Sequence, residues 1–240
     1  MYDLAGYVAA LNRILEIVEV PSSGESVLVE LSASVRELFD LAGAAILLIR
    51  DEELTVTVAD APVAALERAQ ERSQRGPACQ AARDGAVVAV PTLSGSRGCW
   101  PEYTAAAARV GIAATAAIPL RAGQQTMGCL DLHSATVRSW CPDDLDAVGV
   151  LARLVAAHCA ADAALRHCEQ VAEQLQHALR SRVVIEQAKG ILAGGGALTV
   201  DQAFDRLRRY ARRNRTSVHS VAQAVVAGHL QDRTATGNDT

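Results

Sequence analysis

Residues 179–226 read LRSRVVIEQAKGILAGGGALTVDQAFDRLRRYARRNRTSVHSVAQAVV, and this stretch decides how the chain is organised. It is basic, because residues 176–240 contain ten Arg and Lys residues against five Asp and Glu residues. Residues 1–175 are acidic, with thirteen basic and twenty-two acidic residues. This charge asymmetry predicts that only the C-terminal end of the chain binds an anionic partner.

Three helical segments are predicted within this stretch. Apolar residues of the first recur every three or four positions up to Leu192, and the glycines at 194–196 end it. Thr199 and Gln202 form a capping-box pattern that begins the second segment. Asn214 and Arg215 end the second segment, and Thr216 or Ser217 caps the third. The predicted apolar faces comprise Val184, Ile185, Ala188, Ile191 and Leu192; Ala203, Phe204, Leu207 and Ala211; and Val218, Val221, Ala222 and Val225.

Six arginines crowd onto the second predicted helix, on two neighbouring faces. Guanidinium groups at this density repel one another unless an anion neutralises them, and their fork of donors matches phosphate geometry. We therefore interpret this helix as a nucleic-acid contact, with a solvated charged face as the alternative. The arginines are Arg206, Arg208, Arg209, Arg212, Arg213 and Arg215.

The first predicted helix contributes three further candidates. Arg182 and Lys189 are seven residues apart and therefore share a helix face, and Gly190 permits close approach of the backbone. We interpret these three residues as nucleic-acid contacts, with an ordinary helix surface as the alternative.

The motifs R-x-V-I-E-x-A-K-G-I-L at 182–192, A-F-x-x-L-R at 203–208 and V-A at 221–222 resemble the ANTAR domain. The resemblance covers residues 170–228. It implies a three-helix RNA-binding module at the C-terminus of a bacterial regulator. Such modules bind paired stem-loops in nascent transcripts and prevent a terminator hairpin from forming.

A DNA-binding helix-turn-helix regulator is the rival interpretation. Asp201 and Asp205 lie near the start of the second helix, where their carboxylates would be repelled by DNA phosphates. A stacking platform of the RNA-recognition-motif type is also disfavoured, because Phe204 and Tyr210 are the only Phe, Tyr or Trp residues in the stretch. Recognition of RNA loops by arginine contacts and by shape fits what remains.

The composition of the chain bears on its cellular compartment and on whether it forms disulfides or metal sites. Half of the 240 residues are apolar, yet the sequence has no run of about eighteen uncharged apolar residues, so no membrane span is expected. The N-terminus lacks the basic start of a secretory signal. Six scattered cysteines without a C-x-x-C pair are typical of reduced thiols rather than disulfides or a zinc site. We expect a cytoplasmic protein without a cofactor, metal or membrane association.

The N-terminal two thirds of the chain predict an α+β domain. About five strands at hairpin spacing, flanked by helices, indicate an antiparallel sheet. Helices are expected at 4–18, 27–38, 62–74 and 103–110, and strands at 44–50, 54–59, 86–90, 113–120 and 127–133.

The phrases G-P-A-C-Q-A-A-R-D-G at 76–85, I-P-L at 118–120 and G-C-L-D-L at 128–132 are similar to those of the GAF family. The resemblance covers residues 5–160 and implies a sensor domain with an unidentified small-molecule ligand. We place that ligand near Cys79, Trp100 and Tyr103, with the two aromatic residues as a lid.

Some GAF domains are thiol-dependent methionine sulfoxide reductases, and Cys79, Cys99 and Cys129 offer thiols for that reaction. The alternative is that cysteine serves as a small buried apolar residue, and the strand pattern around Cys129 favours it. We therefore expect no catalysis. The histidines His133, His158, His167 and His177 show no metal-binding spacing.

A long helix from Pro142 to about Leu192 is predicted to connect the two regions. Its seam of 3-4 spaced residues suits a two-stranded coiled coil and hence a homodimer, while packing on its own sheet is the alternative. The seam residues are Leu165, Cys168, Ala172, Leu175 and Leu179. The domains expected are a GAF-like sensor at 1–160, a coiled-coil linker at 161–178, an ANTAR-like domain at 179–230 and a disordered tail at 231–240.

Together these features predict a signal-responsive regulator of transcription antitermination. It would bind paired RNA stem-loops through its C-terminal domain, and its N-terminal domain would act as a sensor or dimerisation module. The alternatives are the DNA-binding regulator and, less favoured, the reductase.

Overall fold

The computed structural model describes residues 3–19, 24–95, 98–194 and 198–229. The chain divides into two compact units, Met1–Ala164 and Leu165–Thr240. The expected disordered tail at 231–240 lies outside the described residues, as do residues 195 and 196 of the expected glycine turn.

The N-terminal unit is built on a five-stranded antiparallel sheet in the order β2-β1-β5-β4-β3. The prediction of an α+β domain with about five antiparallel strands is confirmed. Gly128 lies where β5 passes close to β1, and a Cβ atom there would overlap the Leu47 carbonyl oxygen. The strands are β1 (Gly43–Arg50), β2 (Glu53–Ala59), β3 (Val88–Val90), β4 (Ala114–Ala122) and β5 (Gln125–Ser134).

One face of the sheet packs against α1 (Leu4–Glu19), α2 (Gly24–Leu38) and the first turns of α6 (Pro142–Gly194). Because strand residues alternate between faces, Leu130 and Leu132 of β5 point into this larger core. The helices cover this face of the sheet with apolar side chains, and Ser32 and Ser34 of α2 are buried with them.

The opposite face packs against α3 (Ala64–Ser73), α4 (Pro77–Asp84) and α5 (Pro101–Arg109), with a 3-10 turn at Leu93–Gly95. Helix α4 was not predicted from the sequence because it has only eight residues. Its boundaries are nevertheless marked, since Pro77 occupies its first turn and Gly85 closes it in the left-handed region with φ of 64°.

Helix α6 has 53 residues, and one 18-residue window with a mean hydropathy of 1.5 is long and apolar enough to cross a membrane. Length and composition alone are weak grounds for a span, because core helices pass the same test. Val148, Leu151 and Val155 of α6 are almost completely buried in the N-terminal unit. Core packing therefore accounts for these three apolar side chains, while 28% of the 18-residue window as a whole is buried.

The C-terminal unit contains the rest of α6, α7 (Val200–Arg213) and α8 (Val218–Val226). The predicted capping box is confirmed, because Thr199 Oγ1 accepts from the Gln202 amide at 3.2 Å and the Gln202 side chain accepts from the Thr199 amide at 2.8 Å. Ser217 caps α8 by accepting from the Ser220 amide at 3.0 Å. The buried core comprises Ala188, Leu207, Ala211, Val221, Ala222 and Val225.

Candidate nucleic-acid interface and sensor site

The arginines of α7 lie on the side of the helix away from the core. Ala203, Leu207 and Ala211 face inward and are buried, as predicted, whereas Phe204 of the predicted stripe is only half-buried. Helical periodicity then directs the arginines outward. Arg206 is half-buried, and the other five arginines of the predicted set are exposed.

These guanidinium groups have no acidic partner within the part of the chain that the structure describes. The N-terminal unit behaves differently, since Arg13 pairs with Glu30 at 2.8 Å and Arg36 pairs with Asp60 at 3.3 Å. The arginines of α7 thus form a surface whose positive charge is left for an external anion to neutralise.

Phe204 lies beside this surface, half-buried between two cations. The Lys189 Nζ atom is 5.4 Å from the centre of the Phe204 ring, and the Arg208 Cζ atom is 4.8 Å from it. Both distances suit cation–π contacts, which fix the Arg208 side chain over the ring. Phe204 thereby joins the face of α6 that carries Lys189 to the arginine face of α7.

The three candidate residues on α6 differ in how freely an anion could contact them. Arg182 and Gly190 are exposed. The Lys189 ammonium instead lies 2.9 Å from both carboxylate oxygens of Glu186, and its side chain is only 13% exposed. An anion that contacts Lys189 therefore has to compete with Glu186.

The predicted seam residues of α6 are all exposed. The side chains of Leu165, Leu175 and Leu179 are 59%, 61% and 64% exposed, respectively. Leucines at this spacing form an apolar stripe along the helix, which is unusual for a surface that stays in contact with water.

The predicted ligand residues are only partly brought together. Cys79 and the half-buried Trp100 line one cavity of about 150 Å³, together with Gln74, Arg83 and Cys99. Tyr103 does not reach it, because its side chain is fully buried and packs against α3. The expectation that Tyr103 forms a lid is therefore wrong, and Tyr103 is a core residue.

A cluster of polar side chains lies inside the N-terminal unit, between the sheet and α3. Glu67 and Gln70 come from α3, and Asp131 and His133 come from β5; all four side chains are fully buried. The Glu67, Asp131 and His133 ligand atoms lie within 4.8 Å of one another. Burial, and next the Glu67 carboxylate, raise the pKa of Asp131 well above its usual range.

Family comparisons agree with the two resemblances found in the motifs. A model of the GAF domain matches residues 23–159, and a model of the ANTAR domain matches residues 173–226. The chain belongs to the GAF family and carries a C-terminal ANTAR domain. This combination is the architecture of a GAF-sensing antitermination regulator, and RNA binding is the role of the ANTAR family. No curated protein sequence matches the chain.

Solved structures resemble the GAF domain in fold. The GAF domain of a phosphoenolpyruvate-protein phosphotransferase from Coxiella burnetii has a TM-score of 0.53 at 13% identity, and covers 68% of this chain and 98% of its own. A free methionine-R-sulfoxide reductase from Neisseria meningitidis, in complex with its substrate, has a TM-score of 0.52 at 20% identity, and covers 65% of this chain and 89% of its own. At these identities the likeness concerns the fold alone.

Two of the three candidate thiols of the GAF domain, Cys79 and Cys129, are poorly placed for nucleophilic chemistry, whereas Cys99 is exposed. Burial, followed by the Asp131 charge, raises the pKa of Cys79 to about 12. Burial likewise raises the pKa of Cys129 well above its ordinary value, and Cys129 is fully buried. Since the thiolate is the reactive form, both side chains are held in the unreactive thiol form at neutral pH.

The sequence interpretation missed the buried cluster of the GAF domain. One signal was present, because residues two apart on a strand point to the same face, which places Asp131 beside His133. Glu67 lies more than sixty positions away on a helix, and only the tertiary structure brings it to them.

Proposed function

We propose that this protein regulates transcription antitermination by binding paired stem-loops in nascent RNA through its ANTAR domain. The observation that carries this proposal is the exposed arginine face of α7, whose arginines have no acidic partner among the described residues. Contacts from such a surface to phosphates release condensed counterions, which gives affinity without reading base edges. The half-buried Phe204 adds an aromatic ring, over whose face Arg208 lies.

The proposal includes a homodimer that pairs the exposed leucines of α6. An apolar stripe with heptad spacing is stabilised when a second copy covers it. Two copies then present two arginine faces, one for each hairpin. Linkage of the two contacts raises the overall affinity without any new contact.

The GAF domain is proposed to sense a signal rather than to catalyse a reaction. Cys79 and Trp100 share a cavity with Arg83, so a small polar ligand would have both an aromatic and a cationic neighbour there. Both domain families suit a protein of the bacterial cytoplasm, which is the compartment we propose.

Electrophoretic mobility shifts test the RNA assignment. The full chain is titrated with an RNA of two adjacent hairpins, with either hairpin alone, and with duplex DNA of the same sequence. We expect the two-hairpin RNA to bind most tightly. Tighter binding to the duplex DNA would overturn the assignment in favour of a helix-turn-helix regulator.

The Leu175→Asp variant tests the dimer. It introduces a charge into the apolar stripe and leaves the arginine face intact. We expect light scattering to show a monomer, and the two-hairpin RNA to lose an affinity advantage on the order of 10²-fold. The neighbouring Gln174→Asp variant adds the same charge to an exposed position outside the stripe and should stay dimeric. Equal losses on one-hairpin and two-hairpin RNA would contradict the two-domain mechanism.

A thiol-dependent assay with free methionine sulfoxide tests the proposed absence of catalysis. We expect no turnover, because Cys79 and Cys129 are held as buried thiols. Turnover that disappears in the Cys129→Ser variant would show that the GAF domain is a reductase.

A further inference from the structure

We propose that Glu67, Asp131 and His133 form an intramolecular binding site for one divalent transition-metal ion inside the GAF domain. The three side chains are fully buried, and their ligand atoms lie within 4.8 Å of one another. Three atoms within the cluster, Glu67 Oε1, Asp131 Oδ1 and His133 Nε2, are buried without a hydrogen bond. Buried polar atoms are normally hydrogen-bonded, so three unsatisfied atoms in one cluster point to a ligand that satisfies them together.

Gln70 orients the two carboxylates. Its amide nitrogen donates to Glu67 Oε2 at 3.0 Å and to Asp131 Oδ2 at 3.0 Å. Its amide oxygen accepts from the Ala78 backbone at 2.9 Å, which fixes the orientation of the amide. A Cβ atom at Gly76 would overlap that amide, so glycine is needed there. One oxygen of each carboxylate is thus held, and the other is left for the proposed ion.

Thr115 selects the tautomer of a neutral His133 ring. Its hydroxyl donates to the Leu132 carbonyl oxygen at 3.0 Å, so its proton is already used. It therefore faces His133 Nδ1, 3.3 Å away, as an acceptor, and Nδ1 carries the imidazole proton. In the neutral ring the Nε2 lone pair is then free to bind a metal, as in metal sites where a second hydrogen bond selects the tautomer.

The Nε2 atom of His133 lies 2.9 Å from Glu67 Oε1, and the two atoms do not form a hydrogen bond. Two acceptors this close repel each other unless a proton on Nε2 makes the contact an ion pair or a metal ion lies beside both atoms. Ligands at right angles around a metal with bonds of about 2.1 Å are about 3.0 Å apart, which is close to the observed separation.

The donor set indicates the class of metal. Two carboxylates and one imidazole suit Zn²⁺, Fe²⁺ or Mn²⁺, whereas Mg²⁺ and Ca²⁺ favour ligands that are all oxygen. Two carboxylates also need a positive charge nearby, and no Lys or Arg pairs with either one among the described residues. Three protein ligands leave a coordination position open for water or a small ligand.

Metal binding to the full-length protein tests the proposal. The chelated protein is dialysed against Zn²⁺, Mn²⁺ or anaerobic Fe²⁺, with Mg²⁺ as the comparison ion, and bound metal is measured by mass spectrometry. We expect about one equivalent of a transition metal per chain and no retained Mg²⁺. A hundredfold excess over Kd should raise the Tm by about 5–10 °C.

Three variants locate the ion. Asp131→Asn and His133→Gln keep side-chain volume but weaken the ligands, and each should lose the bound equivalent. His177→Gln is the matched control, because exposed His177 lies near His219, with ring centres 6.0 Å apart, and offers a rival surface site. Loss of the ion in His177→Gln, with retention in the other two variants, would overturn the proposal.

X-ray absorption of the zinc-loaded unmodified protein keeps the test independent of whether the variants fold. We expect one imidazole nitrogen and otherwise oxygen ligands. A folded protein that binds no stoichiometric metal would overturn the proposal, and the two carboxyl groups would then share a proton instead. A ligand shell with two or more imidazoles would also overturn it.

Discussion

The two domains treat charge in opposite ways. The GAF domain buries Glu67, Asp131 and His133 completely, while the ANTAR domain exposes most of the arginines of α7. A buried charge has to find its partner within the protein, because desolvation is costly. An exposed charge is solvated by water and can bind a partner from outside the protein. The comparison teaches that the buried charged groups of the GAF domain need partners inside the protein, whereas the exposed arginines of the ANTAR domain are open to an anion from outside.

The cores of the two domains differ as well. The main core of the GAF domain joins α1, α2, α6 and four strands, whereas the described part of the ANTAR domain has seven buried apolar residues, from three helices. A small core tolerates the loss of a side chain less well, because little other burial remains to offset it.

The largest effect is expected from Leu207→Ala, which removes the bulkiest fully buried side chain of the ANTAR core. The loss of about 2–5 kcal/mol from the free energy of unfolding should unfold this domain and abolish RNA binding. Urea unfolding followed by circular dichroism measures the free energy of unfolding, and amide exchange shows which domain unfolds. Leu130→Ala, the same change in the GAF core, should leave the ANTAR domain folded and RNA-binding. Retained RNA binding in Leu207→Ala would contradict the prediction that burial of Leu207 keeps the ANTAR domain folded.

The double variant Arg208→Ala/Arg212→Ala tests whether the exposed arginines of the ANTAR domain contact RNA phosphates. RNA affinity should fall about tenfold or more for each lost contact, because hydrogen bonds to charged groups contribute about 1.5–3 kcal/mol. The slope of log K against log salt should shrink by about 1.4–1.8. Titrations at several salt concentrations measure both, and Arg68→Ala on the GAF surface is the control. An unchanged slope would mean that these arginines do not contact phosphate.

A smaller effect is expected from Thr199→Ala, which removes the capping box of α7. The free energy of unfolding of the ANTAR domain should fall by about 1 kcal/mol. The affinity of the folded variant for RNA should stay unchanged. Thr216→Ala is the control, because Ser217 rather than Thr216 caps α8. Equal losses in both variants would contradict the assigned cap. Urea unfolding resolves the difference.

The smallest effect is expected at Arg215, where two substitutions separate the free energy of unfolding from RNA affinity. Arg215 follows the end of α7 with φ of 50°, in the left-handed region that glycine adopts without strain. Arg215→Gly should therefore raise the free energy of unfolding by on the order of 0.5 kcal/mol and also weaken RNA binding. Arg215→Ala removes the same charge but keeps the strain, so it should weaken binding without the gain. Stability that falls in Arg215→Gly would show that the side chain holds α7 in place.

Local patterns carried most of the information about the ANTAR domain. Capping at Thr199, the apolar stripe of α7 and the turn at Asn214 depend on residues within a few positions of one another, so the sequence alone predicted them. The five strands of the GAF domain followed from hairpin spacing for the same reason. The outward arginines follow from helical periodicity once the buried stripe is known.

Contacts between distant residues were decided only by the tertiary structure. The pairing of β1 with β5 joins residues from 80 (Leu48 with Gly128) to 90 (Gly43 with His133) positions apart, and no local pattern specifies it. The same fold buries Tyr103, which the sequence placed at a lid, and brings Glu67 to Asp131 and His133. Periodicity assigns a side chain to a face of its own element, but what that face meets depends on how helices and sheet pack together.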